Sequence, residues 1–131
     1  MSKLFSMAPK LFEHNLNIIL IQLDEAHSDA WPVAIETILG VEQPKPQQCF
    51  QDRINRANQF VNMYNPPFDV YIDGWNNEFA ELFRAWPDKY HCVQKINSDF
   101  KLIAKSKYHK HGDVEAKVVE DYTDLLISLM K

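Results

Sequence analysis

Glycine is nearly missing from this 131-residue chain, with three in all, too few for the glycine-rich turns that cradle phosphates in nucleotide-binding proteins. Cysteine is scarcer still. Cys49 and Cys92 stand 43 residues apart, which excludes a Cys-x-x-Cys redox pair and a disulfide framework and predicts two buried or half-buried free thiols. No apolar run approaches the roughly 18 residues of a membrane span. The first residues lack the charged, apolar and small-residue regions of a signal peptide. Positive charge is also in deficit, since 14 Lys and Arg against 18 Asp and Glu give a net charge of −4 and a pI of about 5.7. Neither nucleic acid nor membrane is therefore an expected partner. A cytoplasmic setting is expected, with the nucleus as the alternative.

What is present fits an ordinary globular domain, 46% hydrophobic and 24% charged. Residues 1–131 suffice for one domain with a real core. Leu4, Met7, Leu11 and Phe12 share a helical face over residues 3–14, and Pro9 is expected to shorten or kink that helix. Residues 17–23 read as a fully buried strand. Irregular text follows to residue 48, with a possible short helix at 33–39 and a Pro44-Lys45-Pro46 spacer. Phe50, Ile54, Ala57, Val61 and Tyr64 fall at steps of four, three, four and three, which predicts an amphipathic helix over 48–64. Asn65-Pro66-Pro67 stops it.

A strand at 69–73 and a helix at 76–86 with Phe79, Leu82, Phe83 and Trp86 inward come next. Strands at 90–96 and 99–105 are joined by Asn97-Ser98, a two-residue hairpin connection. The last element reads as a helix over 113–130 that starts at Asp113 as N-cap and carries Val114, Val118, Tyr122, Leu125 and Leu129. The order of elements is that of an α/β domain.

The stretch Asp24-Glu25-Ala26-His27-Ser28-Asp29-Ala30-Trp31 follows the buried strand directly. Open α/β sheets place ligand and catalytic groups at such strand ends. Glu25 and His27 are two positions apart, so on a continuing strand they share a face. A carboxylate beside an imidazole can orient it or hold it protonated, which suits proton transfer or a clamp on an anion. The alternative is a loop His bonded to backbone near Trp31.

This stretch resembles the Glu-Ala-His-x-Ser-Asp-Gly-Trp segment of the iodothyronine deiodinases, thioredoxin-fold selenoenzymes that remove iodine from thyroid hormones. One residue is absent between His27 and Ser28, and Ala30 replaces the Gly. The resemblance continues through Gln51-Asp52-Arg53, Val70-Tyr71-Ile72-Asp73 with Asn76-Asn77, and Ala85-Trp86-Pro87-Asp88-Lys89-Tyr90 leading into Val93-Gln94. It implies a thioredoxin-like mixed sheet with flanking helices, in which a strand hairpin and a terminal helix close the domain. In the family the His matching His27 grips the hormone and assists proton steps, and a basic residue near the position of Lys107 can pair with it on a substrate carboxylate. Glu25, His27 and Lys107 are accordingly the candidate site residues, and a small anion or a protein partner the expected ligand. Gln22 and Gln47 stand near positions where the family can carry a Tyr and a His, which argues against retained hormone chemistry.

The family's selenocysteine lies further upstream of this His than the 26 residues that precede His27 here. The expectation is a chain that lacks the strand and the nucleophile preceding its site, hence a pseudoenzyme with no catalytic residue, metal or cofactor, acting in binding or interaction. The alternative is the truncated product of a gene for a complete deiodinase-like selenoprotein oxidoreductase. A thiol-dependent redox protein using Cys49 or Cys92 is a third reading. In the family the lost strand sits mid-sheet between the strands matching 18–23 and 90–96. Those two strands are therefore expected to close up and pair within a homodimer, because open edges template association.

The run Lys101, Lys105, Lys107, His109, Lys110 and His111 is a basic cluster in an acidic chain, and such runs are usually solvated loops. His109-x-His111 lacks a third ligand at motif spacing, so zinc is not expected. The adjacency of His27, Ser28 and Asp29 is no sign of a catalytic triad, whose members meet in space.

Overall fold

The computed structural model describes residues 2–24, 45–85, 89–106, 117–119 and 122–131. Its elements are α1 (Ser2–Glu13), β1 (Ile19–Gln22), α2 (Phe50–Tyr64), β2 (Asp69–Ile72), α3 (Glu78–Phe83), β3 (His91–Ile96), β4 (Asp99–Ser106), β5 (Lys117–Val119) and α4 (Tyr122–Leu129). The chain is mixed α/β. It divides into two compact units, one of residues 18–87 and one of residues 1–17 with 88–131. No helix among the described residues is long and apolar enough to cross a membrane.

In the first unit β1 and β2 pair in parallel from Ile19 opposite Asp69 to Gln22 opposite Ile72. The amide of Asp73 carries the ladder one step further by donating to the Gln22 carbonyl at 2.9 Å. Helix α2 packs against β2. It ends where Asn65 turns left-handed, φ 43°, and donates its amide to the Val61 carbonyl. The Pro66-Pro67 pair cannot continue a helix, so the predicted stop holds.

The buried stripe of α2 differs from the expected one. Arg53 and Ala57 are its buried residues, whereas Phe50, Val61 and Tyr64 are exposed and Ile54 is half-buried. Helix α3 is also shorter than the predicted 76–86. Arg84 turns left-handed at φ 50°, and the Ala85 amide reaches back to the Ala80 carbonyl at 3.0 Å, a Schellman-type closure that ends the helix. Ala80 and Ala85 are buried, Phe79 half-buried, and Leu82 and Phe83 exposed. The buried residue of this helix is therefore the small Ala80, with Ala85 just past its end, rather than the predicted large ones; Trp86 lies outside the described residues.

In the second unit the predicted hairpin is present, β3 and β4 pairing antiparallel down to Ile96 opposite Asp99. Asn97 takes a positive φ of 57° at the two-residue connection, a conformation that Asn tolerates better than most side chains. The register shifts between Cys92 and Val93, so Ile103 opposes no residue of β3 and forms a bulge. The rings of Tyr90 and Tyr122 meet edge to face, 6.2 Å between centroids.

Three further expectations are corrected. Helix α1 runs unbroken through Pro9, with Leu4, Ala8 and Leu11 buried along one face at steps of four and three. Pro9 is exposed and Phe12 is about half exposed, so the ring points where it meets no core. The predicted helix over 113–130 is confined to Tyr122–Leu129. Residues 117–119 instead form β5, parallel to Ala104–Ser106 of β4. Two consecutive valines favour the extended state, and β4 offers a free edge. Asp113, the expected N-cap, lies outside the described residues.

The third correction concerns the sheet. Strands 17–23 and 90–96 were expected to pair directly, but among the described residues there are two sheets, β1–β2 and β3–β4–β5. β1 pairs with β2 and β3 with β4, and among the described residues the other edge of β1 and of β3 pairs with no strand.

Candidate functional site at the carboxyl ends of two parallel strands

Two short parallel strands leave their last carbonyls and the following turns at one end, and the first unit gathers its buried polar groups there. Arg53, on the inner face of α2, is only 1% exposed. A guanidinium so placed has lost its water and needs an acceptor for each of its five N–H groups. Nε donates to Oε1 of Gln47 at 3.1 Å. Nη1 donates to the carbonyls of Asp73 at 3.2 Å and Gly74 at 2.6 Å. Nη2 donates to Oδ1 of Asn77 at 2.8 Å and lies 3.6 Å from Oδ1 of Asp24. The Trp75 ring covers the group, 5.1 Å from Cζ to the ring centroid, a distance at which a cation and an aromatic face attract.

Asp73 is the second buried charge, 4% exposed. Its carboxylate accepts the amides of Phe79 at 2.8 Å and Ala80 at 2.9 Å, two of the donors left open at the start of α3. The residue that would ordinarily cap this helix is Asn77, but it sits left-handed at φ 60° and makes no side-chain cap bond. Its amide oxygen is given to Arg53 instead. The arrangement is therefore interlocked: Arg53 takes the helix's own cap, and Asp73 replaces it from four residues upstream.

The chemical consequence for Arg53 is definite. Four hydrogen bonds go to neutral oxygens, two of them backbone carbonyls and two side-chain amide oxygens, and the Asp24 carboxylate stands 3.6 Å from Nη2, so this guanidinium organises strand ends rather than presenting an open fork to an external anion. Gln47 bears the cost of the arrangement. Its oxygen must face Nε, which leaves its Nε2 buried without a partner; the flipped amide would set donor against donor.

The expected site residues Glu25, His27 and Lys107 lie outside the described residues, as do Trp31, His109 and His111. What the structure describes is the platform directly before Glu25. Asp24 is the last described residue ahead of it, and Gln22 carries no hormone-contacting ring but a side-chain amide bonded to the Leu23 carbonyl at 3.1 Å. Gln47, expected only as a departure from the family pattern, has a distinct role as the acceptor for Arg53. Arg53 and Asp73 entered the sequence reading only within the family-like segments Gln51-Asp52-Arg53 and Val70-Tyr71-Ile72-Asp73, with no role assigned to either. A signal existed for Arg53, which stands one turn before Ala57 on the same face. Asp73 stands four residues ahead of the helix's cap position, where capping rules do not look.

Among the described residues, this unit carries an apolar and a polar cleft. One, of about 310 Å³, is apolar and lined by Ile19, Ile21, Tyr71 and Phe79 beside Asp73 and Gly74. The other, of about 450 Å³, is polar and runs along the start of α2 past Lys45, Asp52, Asn55 and Arg56. Cys49, expected to be buried or half-buried, is exposed at the N-cap of α2 and makes no side-chain cap bond. Cys92 is half-buried in β3, and burial pushes its thiol pKa up. Among the described residues no group of three or more His, Cys, Asp or Glu is placed to hold a metal ion.

Comparison of the chain with protein-family models, with curated proteins and with solved structures finds no match.

Proposed function

We propose that this chain is a deiodinase-like protein of thioredoxin-like element order that binds rather than catalyses, holding a small anionic ligand through His27 at the carboxyl end of β1, with Glu25 orienting the imidazole. The observation that supports the reading is the buried platform that Glu25 follows directly in sequence, where the Arg53 guanidinium meets the residues after both parallel strands. Ligands of open α/β sheets lie outside such carboxyl ends. The five sequence matches to the deiodinases, in order along the chain, support the same reading, and so does the retained strand hairpin followed later by a terminal helix.

Two assays test it. Calorimetric titration with inorganic phosphate and with acetate is expected to give binding that His27→Ala weakens at least tenfold. Equal affinity in the variant contradicts the role of His27. Iodide release from thyroxine with a dithiol reductant is expected to be absent. Turnover that Cys49→Ser abolishes would replace the binding reading with thiol chemistry, for which the exposed position of Cys49 at a helix N-terminus is the favouring feature.

A further inference from the structure

We infer that the end of the β3–β4 hairpin is a docking arm for a second copy of this chain, seating Phe100 and Lys95 on the side of the other copy's α3 that presents Leu82 and Glu81. Residues directly opposite in an antiparallel pair share a face of the sheet, and successive residues alternate between faces. Phe100 stands opposite Lys95, and Leu102 opposite Val93, so these four side chains lie on one face of the hairpin. Phe100 is 70% and Val93 52% exposed, and Lys95 is exposed beside them. Adjacent exposed apolar side chains with a cation at their rim have the make-up of a docking surface.

Helix α3 carries the opposite charge around the same kind of apolar side chain. Glu78, Glu81 and Leu82 are three and four positions apart, which places them on one side of the helix, and all are exposed, Leu82 by 78%. Arg84 past the helix end reduces the negative charge there without reversing it. Leu82, Met63 and Phe100 are the most exposed large apolar side chains among the described residues. Met63 is flanked by Asn62 and Tyr64, with Gln59 one turn back, so no charge there selects a partner by sign. The charge distribution favours a second copy as the occupant. Residues 89–106 hold four lysines against Asp99, a net +3, so the rest of a chain at −4 carries −7. Two copies therefore attract arm to acidic body, where uniformly acidic chains would repel. Burial of Phe100 against Leu82 supplies the affinity, and Lys95 beside Glu78 and Glu81 sets the orientation.

The test is sedimentation equilibrium of the full chain at micromolar concentrations, where the apparent mass is expected to rise above 15.4 kDa with concentration. Phe100→Ser and Leu82→Ser are each expected to weaken association at least tenfold. Both side chains are mostly in solvent, so the melting temperature should stay within a few degrees. Lys95→Glu and Glu81→Lys are each expected to weaken association at least fivefold alone. An equimolar mixture of these two charge variants is expected to associate as the wild type does, because the altered arm of one meets the altered helix of the other. Association that both serine variants leave intact would belong to the strand edges and overturns the inference. Failure of the mixture to recover also overturns it, as does a chain that remains at 15.4 kDa throughout.

Discussion

At the scale of single residues, Arg53 and Asp73 set the energetics of the first unit. The Asp24 carboxylate is 45% exposed and 3.6 Å from the guanidinium, so solvent screens the pair and it contributes under about 1 kcal/mol. The neutral acceptors decide the stability of Arg53. Removing the fork strands the Asp73 and Gly74 carbonyls and the Asn77 oxygen without their donor. Arg53→Lys is accordingly expected to cost roughly 3 kcal/mol, read from urea denaturation; a loss below about 1 kcal/mol would mean that these bonds contribute little. Asp73→Asn loses one of two charge-assisted cap bonds and is expected to cost roughly 1 to 3 kcal/mol. The thiols separate by exposure and by ionisation. Burial favours the neutral thiol of Cys92, so at mildly alkaline pH less of it is thiolate, and iodoacetamide is expected to label Cys49 well before Cys92. Equal rates would contradict the half-buried placement of Cys92.

Elements were legible from the sequence where a breaker or a turn signal bounded them. Asn65-Pro66-Pro67 fixed the end of α2, and Asn97-Ser98 fixed the hairpin. Periodicity was less informative about which face is buried, because a hydropathy stripe cannot register a buried arginine. The actual inner face of α2 is turned toward Arg53 and Ala57. For α3 the large apolar residues extended the reading past Arg84, where a left-handed backbone ends the helix. β5 was hidden because Val118 also fits the spacing of the helix that follows, and only pairing with β4 decides between the two. The site was legible as a strand end and no further, since its buried organiser comes from a helix residue that binds carbonyls. Arg84 gives this scale its prediction. A side chain with a Cβ costs about 1 to 2 kcal/mol in the left-handed region relative to glycine, so Arg84→Gly is expected to stabilise the chain by about 1 kcal/mol in thermal or urea unfolding. Destabilisation would contradict the described end of α3.

At the scale of the whole molecule, large apolar side chains stand exposed among the described residues. Leu82 is 78% exposed and Phe100 70% exposed, and among the described residues β1 and β2 have only each other as partners. Two-stranded sheets are marginal alone, and unpaired edges invite pairing with another chain. A homodimer is therefore expected at micromolar concentration, with light scattering giving twice 15.4 kDa; a mass of 15.4 kDa alone would contradict it. The ligand question is answered most directly by locating where an anion meets the chain. An NMR titration of the uniformly labelled protein with inorganic phosphate reads every candidate at once. The predicted result is a saturable shift of the His27 ring signals together with the Asp24 and Glu25 amides. A chain in which His27 does not respond, or in which the shifts are confined to Lys45 and Arg56 along the polar cleft of α2, would contradict the binding site proposed at the end of β1.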